Sequence, residues 1–145
     1  MIPALATDIA PMTDEDIGKV RALEDEVLAR PQVALRTTHT LHAGVYTRTV
    51  RLPADVVLTG ALIRVPTTLI VAGDASMFSG GTCRRLTGHH ALTAAAGRKQ
   101  AFVAHAETYI TMIFATQAKT VEDAENEFTA EAHRLMTRRA DQIEE

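Results

Sequence analysis

Between residues 33 and 116 the hydrophobic positions fall in short β-branched runs punctuated by Gly and Pro. Segments 46–52, 56–63, 68–71, 75–78, 100–104 and 108–114 read as strands. Turn signals separate them at Gly73-Asp74, Ser79-Gly80-Gly81, Gly88 and Gly97. Many short strands at even spacing predict an all-β sandwich or barrel. On either side the period becomes helical. Thr13 is placed to cap a helix whose first turn holds Asp14, Glu15 and Asp16, where the helix dipole favours negative charge. Ile17, Val20, Leu23, Val27 and Leu28 then recur on one face, and Pro31 ends the run. A second helix starts at Thr120, with Val121, Ala124, Phe128, Ala132 and Leu135 as its apolar stripe and Arg134, Arg138 and Arg139 in its later turns. The predicted layout is an extended arm over 1–12, a helix over 13–30, a β domain over 33–118 and a helix over 120–140.

A chain of 145 residues makes one domain with helical arms. Aromatics are only 4% of it and Trp is absent, so the core must rest on aliphatic side chains and Met. The single cysteine, Cys83, excludes an intrachain disulfide and is expected to be a small, half-buried residue. No apolar run approaches the ~20 residues that cross a bilayer. The first residues lack the basic start of a secretory signal, so a soluble, cytoplasmically made chain with no membrane partner is expected. The net charge of −3 is unevenly spread: residues 36–119 are basic, and the two ends are acidic. The ends are either solvated helix faces or arms lying against a basic barrel. Nucleic-acid binding is disfavoured, because the bases are scattered among few aromatics.

The order of several segments carries a family resemblance. His42-Ala-Gly-Val-Tyr-Thr-Arg48 leads into a strand and Leu52-Pro-Ala-Asp55 follows it. Then come Gly60, the apolar run closing on Gly73-Asp74, and Gly97-Arg-Lys-Gln-Ala-Phe-Val-Ala-His105. Residues 42–116 resemble the cupins, and more closely the short cupin-like proteins encoded in tailed-bacteriophage genomes. The resemblance implies a mainly β fold, a single cupin-like jelly-roll barrel with flanking N- and C-terminal α-helices. It also implies a metal held by two His and a Glu of the first segment and one His of the second. Those places fall on Gly60, Leu62, Pro66 and Gln100. One residue of slip either way brings in no His, Cys, Asp or Glu, so no metal cofactor is expected. The runner-up is a relocated site in which His42, His90 and His105 meet at one barrel mouth, although alternation puts His105 on the face opposite Gln100.

Arg48, Arg64, Arg98 and Lys99 are further candidates. Tyr46, Arg48, Val50 and Leu52 share one strand face, and a buried guanidinium there would need an anionic partner. Tyr46, Arg48, Arg64 and Gln100 are the candidate ligand-binding set, although a rim or interface position is the preferred reading of the arginines. Other templates fail. Asp55, Asp74 and Glu107 form no acid/base pair, and Ser79-Gly80-Gly81-Thr82 lacks the lysine of a phosphate loop. No catalytic residue is assigned. The resemblance then implies a non-enzymatic phage or prophage structural protein, most concretely a capsid cement or decoration protein. It would be a homo-oligomer contacting the major capsid protein, made in the host cytoplasm and carried in the virion. The alternative is a metal-free cupin that binds a small anionic or sugar ligand, or a divergent cupin isomerase.

Overall fold

The computed structural model describes residues 7–138. Helix α1 spans Asp14–Leu28 and α2 spans Val121–Phe128. Seven strands lie between them: β1 (Arg36–His42), β2 (Val45–Leu52), β3 (Val57–Thr59), β4 (Thr67–Ser79), β5 (Thr82–Ala94), β6 (Ala101–Ala104) and β7 (Thr108–Ala115). They form one antiparallel sheet in the order β1-β2-β7-β4-β6-β3, with β5 paired along β4. No described helix is long and apolar enough to cross a membrane.

The predicted turns at Gly73-Asp74 and Gly88 are not turns. Both lie inside strands, and Gly73 pairs directly with Gly88 across the β4–β5 hairpin. The hairpin reverses only at Gly80-Gly81, whose φ values of 61° and 78° suit a two-residue loop. What Gly73 marks is a bend. Before it β4 pairs with β7, and after it β4 pairs with β6. Between the registers Ala72↔Tyr109 and Ala75↔Ala104, two β4 residues face the four residues 105–108, so β6 and β7 form one strand broken by a large bulge. The sheet therefore folds on itself. Leu69, Val71 and Ile110 of one half pack in a single cluster with Met77, Leu86 and Phe102 of the other.

The pattern reading missed β1 and β5. β5 is a sheet edge with mostly exposed Thr, Arg and His, so its apolar alternation is weak. Cys83 lies on it and is exposed, not half-buried as expected. The strand predicted over 56–63 is paired only over β3, with an isolated bridge at Ile63↔Arg98.

Both helix starts are capped as expected: Asp16 N–H donates to Thr13 Oγ1, and Asp123 N–H to Thr120 Oγ1. The helix expected over 120–140 is shorter. It stops at Phe128, Thr129 is extended, and two 3₁₀ turns follow at Ala132–Arg134 and Met136–Arg138; positions 139 and 140 lie outside the described residues. The cause is Arg64. Its backbone N–H donates to Phe128 O, and its guanidinium donates to Glu127 O and Asn126 O. These carbonyls would otherwise accept from the next helical turn. Arg64→Ala should fray the end of α2 and cost about 1 kcal/mol in urea unfolding, the scale of lost hydrogen bonds at an exposed site.

The acidic ends do lie on the basic barrel. Glu24 of α1 pairs with Lys99 at 3.0 Å, and Glu125 of α2 pairs with Arg48 at 2.9 Å. The ends also tie to each other through Arg21–Glu131 and Glu24–Arg134.

Candidate functional site

Between the two half-sheets is a cavity of about 840 Å³, its mouth flanked by the end of α1 and the 3₁₀ turns. Alternation decides which side chains reach it. Arg48 and Val50 face in from β2, and Ile110 and Met112 from β7. Phe102 faces in from β6, and two residues earlier Gln100 lies on the same face.

Tyr46 and Arg48 do come together inside, but as part of a closed network. The Arg48 side chain is only 11% exposed, which overturns the rim position preferred from sequence. Its Nη1 donates to Glu125 Oε2 at 2.9 Å and lies 3.4 Å from the Tyr46 hydroxyl. The guanidinium carbon also sits 5.5 Å from the Phe128 ring centroid. The Tyr46 hydroxyl is 2.7 Å from His39 Nδ1, and burial pushes its pKa up. Glu125 takes a second guanidinium, Arg138, at 2.8 Å. This assembly fastens α2 to the sheet. Glu125 is 77 residues from Arg48 and carries no local signal of that partnership.

Arg64 is exposed and caps α2, so it leaves the ligand-binding set. Arg98, by contrast, lines the cavity. It is 1% exposed and follows the Gly97 turn, and three protein acceptors hold it. Nη1 donates to Ala95 O at 2.7 Å, Nη2 to Thr67 Oγ1 at 2.6 Å and Nε to Gln100 Oε1 at 3.1 Å. No ion pair joins it to a carboxylate of the described residues, whereas Lys99 beside it pairs with Glu24. Desolvation lowers the Arg98 pKa to about 10, which still leaves it charged at neutral pH.

Gln100 is 6% exposed, and its Nε2 has no hydrogen-bond partner among the described residues. The amide orientation follows from Arg98. Turning it over would set the amide N–H against the guanidinium N–H, so the oxygen must face Arg98 and the NH₂ is left over. An unpaired buried donor costs about 1–3 kcal/mol. Among the described residues, Arg98 and Gln100 are thus a buried charge without a counter-charge and a buried donor without an acceptor, side by side on one cavity wall.

The residues do not fit the metal that the family resemblance implies. Gln100 stands where its fourth ligand would be, and Gly60 spends its N–H on Gln100 O. His42 ends β1, and His90 Nε2 pairs with Thr87 O. His105 lies in the bulge with Nε2 2.7 Å from Ser76 Oγ. Among the described residues no three His, Cys, Asp or Glu side chains gather into a metal-holding group, so the runner-up histidine site is not assembled.

The curled sheet with flanking helices is a cupin-like, mainly β fold. No protein-family model matches the sequence, and no curated protein matches it. Among solved structures, the chain is similar to the cupin-2 domain of an XRE-family transcriptional regulator from Enterobacter cloacae (12% identity, 59% of this chain and 100% of that one, TM-score 0.48). It is also similar to a cupin-2 domain protein from Shewanella frigidimarina (14%, 64% and 91%, TM-score 0.44). A third is a salicylate 1,2-dioxygenase from Pseudaminobacter salicylatoxidans (15%, 70% and 32%, TM-score 0.49). At these identities and TM-scores the likenesses say nothing of activity.

Proposed function

We propose that this protein binds a small organic anion, a carboxylate, in the barrel cavity through its own side chains. The observation that carries this reading is the Arg98–Gln100 pair. A guanidinium has five N–H donors in a planar fork. Three are engaged by protein acceptors, which fix the fork in place and leave others for a ligand. A carboxylate there would neutralise Arg98 and accept from Gln100 Nε2, removing two buried costs at once. A sugar fits less well, because Leu58, Leu69, Phe102 and Ile110 on the same walls offer it no hydrogen bonds. An isomerase reading is less favoured: of the carboxylates lining the cavity, Glu24 is held by Lys99 and Arg134 and Glu131 by Arg21, while Glu26 and Asp55 are exposed to solvent. No feature of the described residues favours a capsid-cement role over ligand binding.

The test is titration calorimetry of the full chain at pH 7 with benzoate, hexanoate, phosphate and glucose. The carboxylates should bind and glucose should not. Arg98→Met should weaken hexanoate at least tenfold while circular dichroism stays native, since an apolar side chain replaces an unpaired buried charge. Gln100→Leu should weaken it less. Affinity should hold from pH 7 to 9 and fall as pH rises through about 10, where unliganded Arg98 loses its proton. Binding of glucose alone, or unchanged hexanoate affinity in folded Arg98→Met, would overturn the reading.

A further inference from the structure

Resting on that reading, we infer that the ligand is an amphiphile: a monocarboxylate whose extended apolar tail runs from the Arg98–Gln100 floor along the cavity walls to the mouth. The head carries one charge because the floor offers one. Among the buried cations of the wall, Arg48 is matched by Glu125 and Lys99 by Glu24, which leaves Arg98. The exposed rim carries both signs, Glu26 and Asp55 against Arg30 and Arg134, so it offers a second carboxylate no net attraction.

The tail follows from the walls and the mouth. Val50, Leu58, Leu69, Phe102, Ile110 and Met112 present aliphatic and aromatic surface between the floor and solvent. A volume of about 840 Å³ is far more than a bare carboxylate fills; it lies within the roughly 300–1,000 Å³ of pockets that enclose drug-sized ligands. Apolar surface also continues outside. Leu28 and Val33, 40% and 49% exposed, are two of the four large exposed hydrophobics among the described residues, and both line this cavity. At the floor, Arg98 and Gln100 are 1% and 6% exposed. The polarity gradient therefore runs from a charged, buried end to an apolar, open one, so the tail points outward. A chain long enough to reach Leu28 and Val33 covers them.

The experiment is calorimetry of the full chain with acetate, butanoate, hexanoate, octanoate and decanoate, alongside 1-octanol and octanedioate. Affinity should rise about fourfold per methylene while the chain lies within the walls, the gain expected for burying one such group. It should then level off as the tail reaches the mouth. Octanoate should bind at least tenfold tighter than 1-octanol and octanedioate. Val33→Asp, at an exposed position where folding is not at stake, should weaken decanoate several-fold and leave butanoate unchanged. Affinity independent of chain length, with carboxylates still preferred over 1-octanol and still dependent on Arg98, would overturn the apolar tail and leave the anion site standing. Equal affinity for octanoate and 1-octanol, unchanged in Arg98→Met, would overturn the anion site itself.

Discussion

Glu125→Ala is expected to destabilise the fold by about 3–5 kcal/mol, because it strands a buried guanidinium without its counter-charge. The side chains of Arg48 and Glu125 are 11% and 4% exposed, so solvent cannot rescue Arg48 when the carboxylate goes. Arg138 loses the same partner, and with it one of its ties from the 3₁₀ turn to α2. Domains of this size are stable by about 5–15 kcal/mol in total, so the loss is a large share. Urea unfolding followed by circular dichroism measures it, and a cost below about 1 kcal/mol would show that the pair does not hold α2 to the sheet. The double variant Arg48→Met/Glu125→Leu separates charge from packing. Replacing both partners by apolar groups of similar size should recover most of the loss, since neither charge then needs a partner. The Tyr46 hydroxyl would keep His39 as its neighbour.

The second large effect is expected at the bend. Gly73 has φ +146°, a conformation side chains rarely adopt, and an added Cβ would lie 2.6 Å from Glu107 O and 2.7 Å from Thr108 Cα. These are backbone atoms, and they are pinned. Asp74 N–H donates to Thr108 Oγ1, and the N–H groups of His105 and Ala106 both donate to Asp74 O. Gly73→Ala must therefore open the bulge that lets β6 and β7 share one edge of β4. Backbone strain and overpacking each cost about 1–3 kcal/mol, so a combined loss on the order of 3 kcal/mol or more is expected. Gly88, its partner across the hairpin, is the control: φ is +83°, but nothing lies within 4 Å of a Cβ there. Gly88→Ala should lose only the left-handed preference, about 1 kcal/mol. Equal losses at the two positions would mean that close packing at the bend is not what requires glycine at Gly73.

These two positions also show what kind of information the chain carries locally. Gly73 is visible in the sequence as a special backbone position, but glycine serves a reversal and a bend equally well. Only its pairing with Gly88 distinguishes them. Arg64 is one of the candidate ligand-binding residues of the sequence. Whether it faced a cavity or a helix end depended on where α2, some sixty residues later, came to rest. Gln100 was singled out as the residue in place of a metal ligand, and it does face the cavity. Its pairing with Arg98, which orients the amide and leaves the NH₂ without a partner among the described residues, involves burial that no spacing reveals.

Local sequence determined the helix caps at Thr13 and Thr120, the single strand face shared by Tyr46, Arg48, Val50 and Leu52, and the β character of the middle of the chain. Caps and alternation act within a few residues, and the chemistry of those residues suffices for them. Tertiary structure decided where α2 stops, that Arg48 is neutralised by Glu125, and that Arg98 meets no carboxylate among the described residues. Which cation meets which carboxylate depends on contacts between residues far apart in sequence. Here those contacts matched Arg48 and Lys99 to carboxylates on the helical arms and left Arg98 without a carboxylate partner among the described residues.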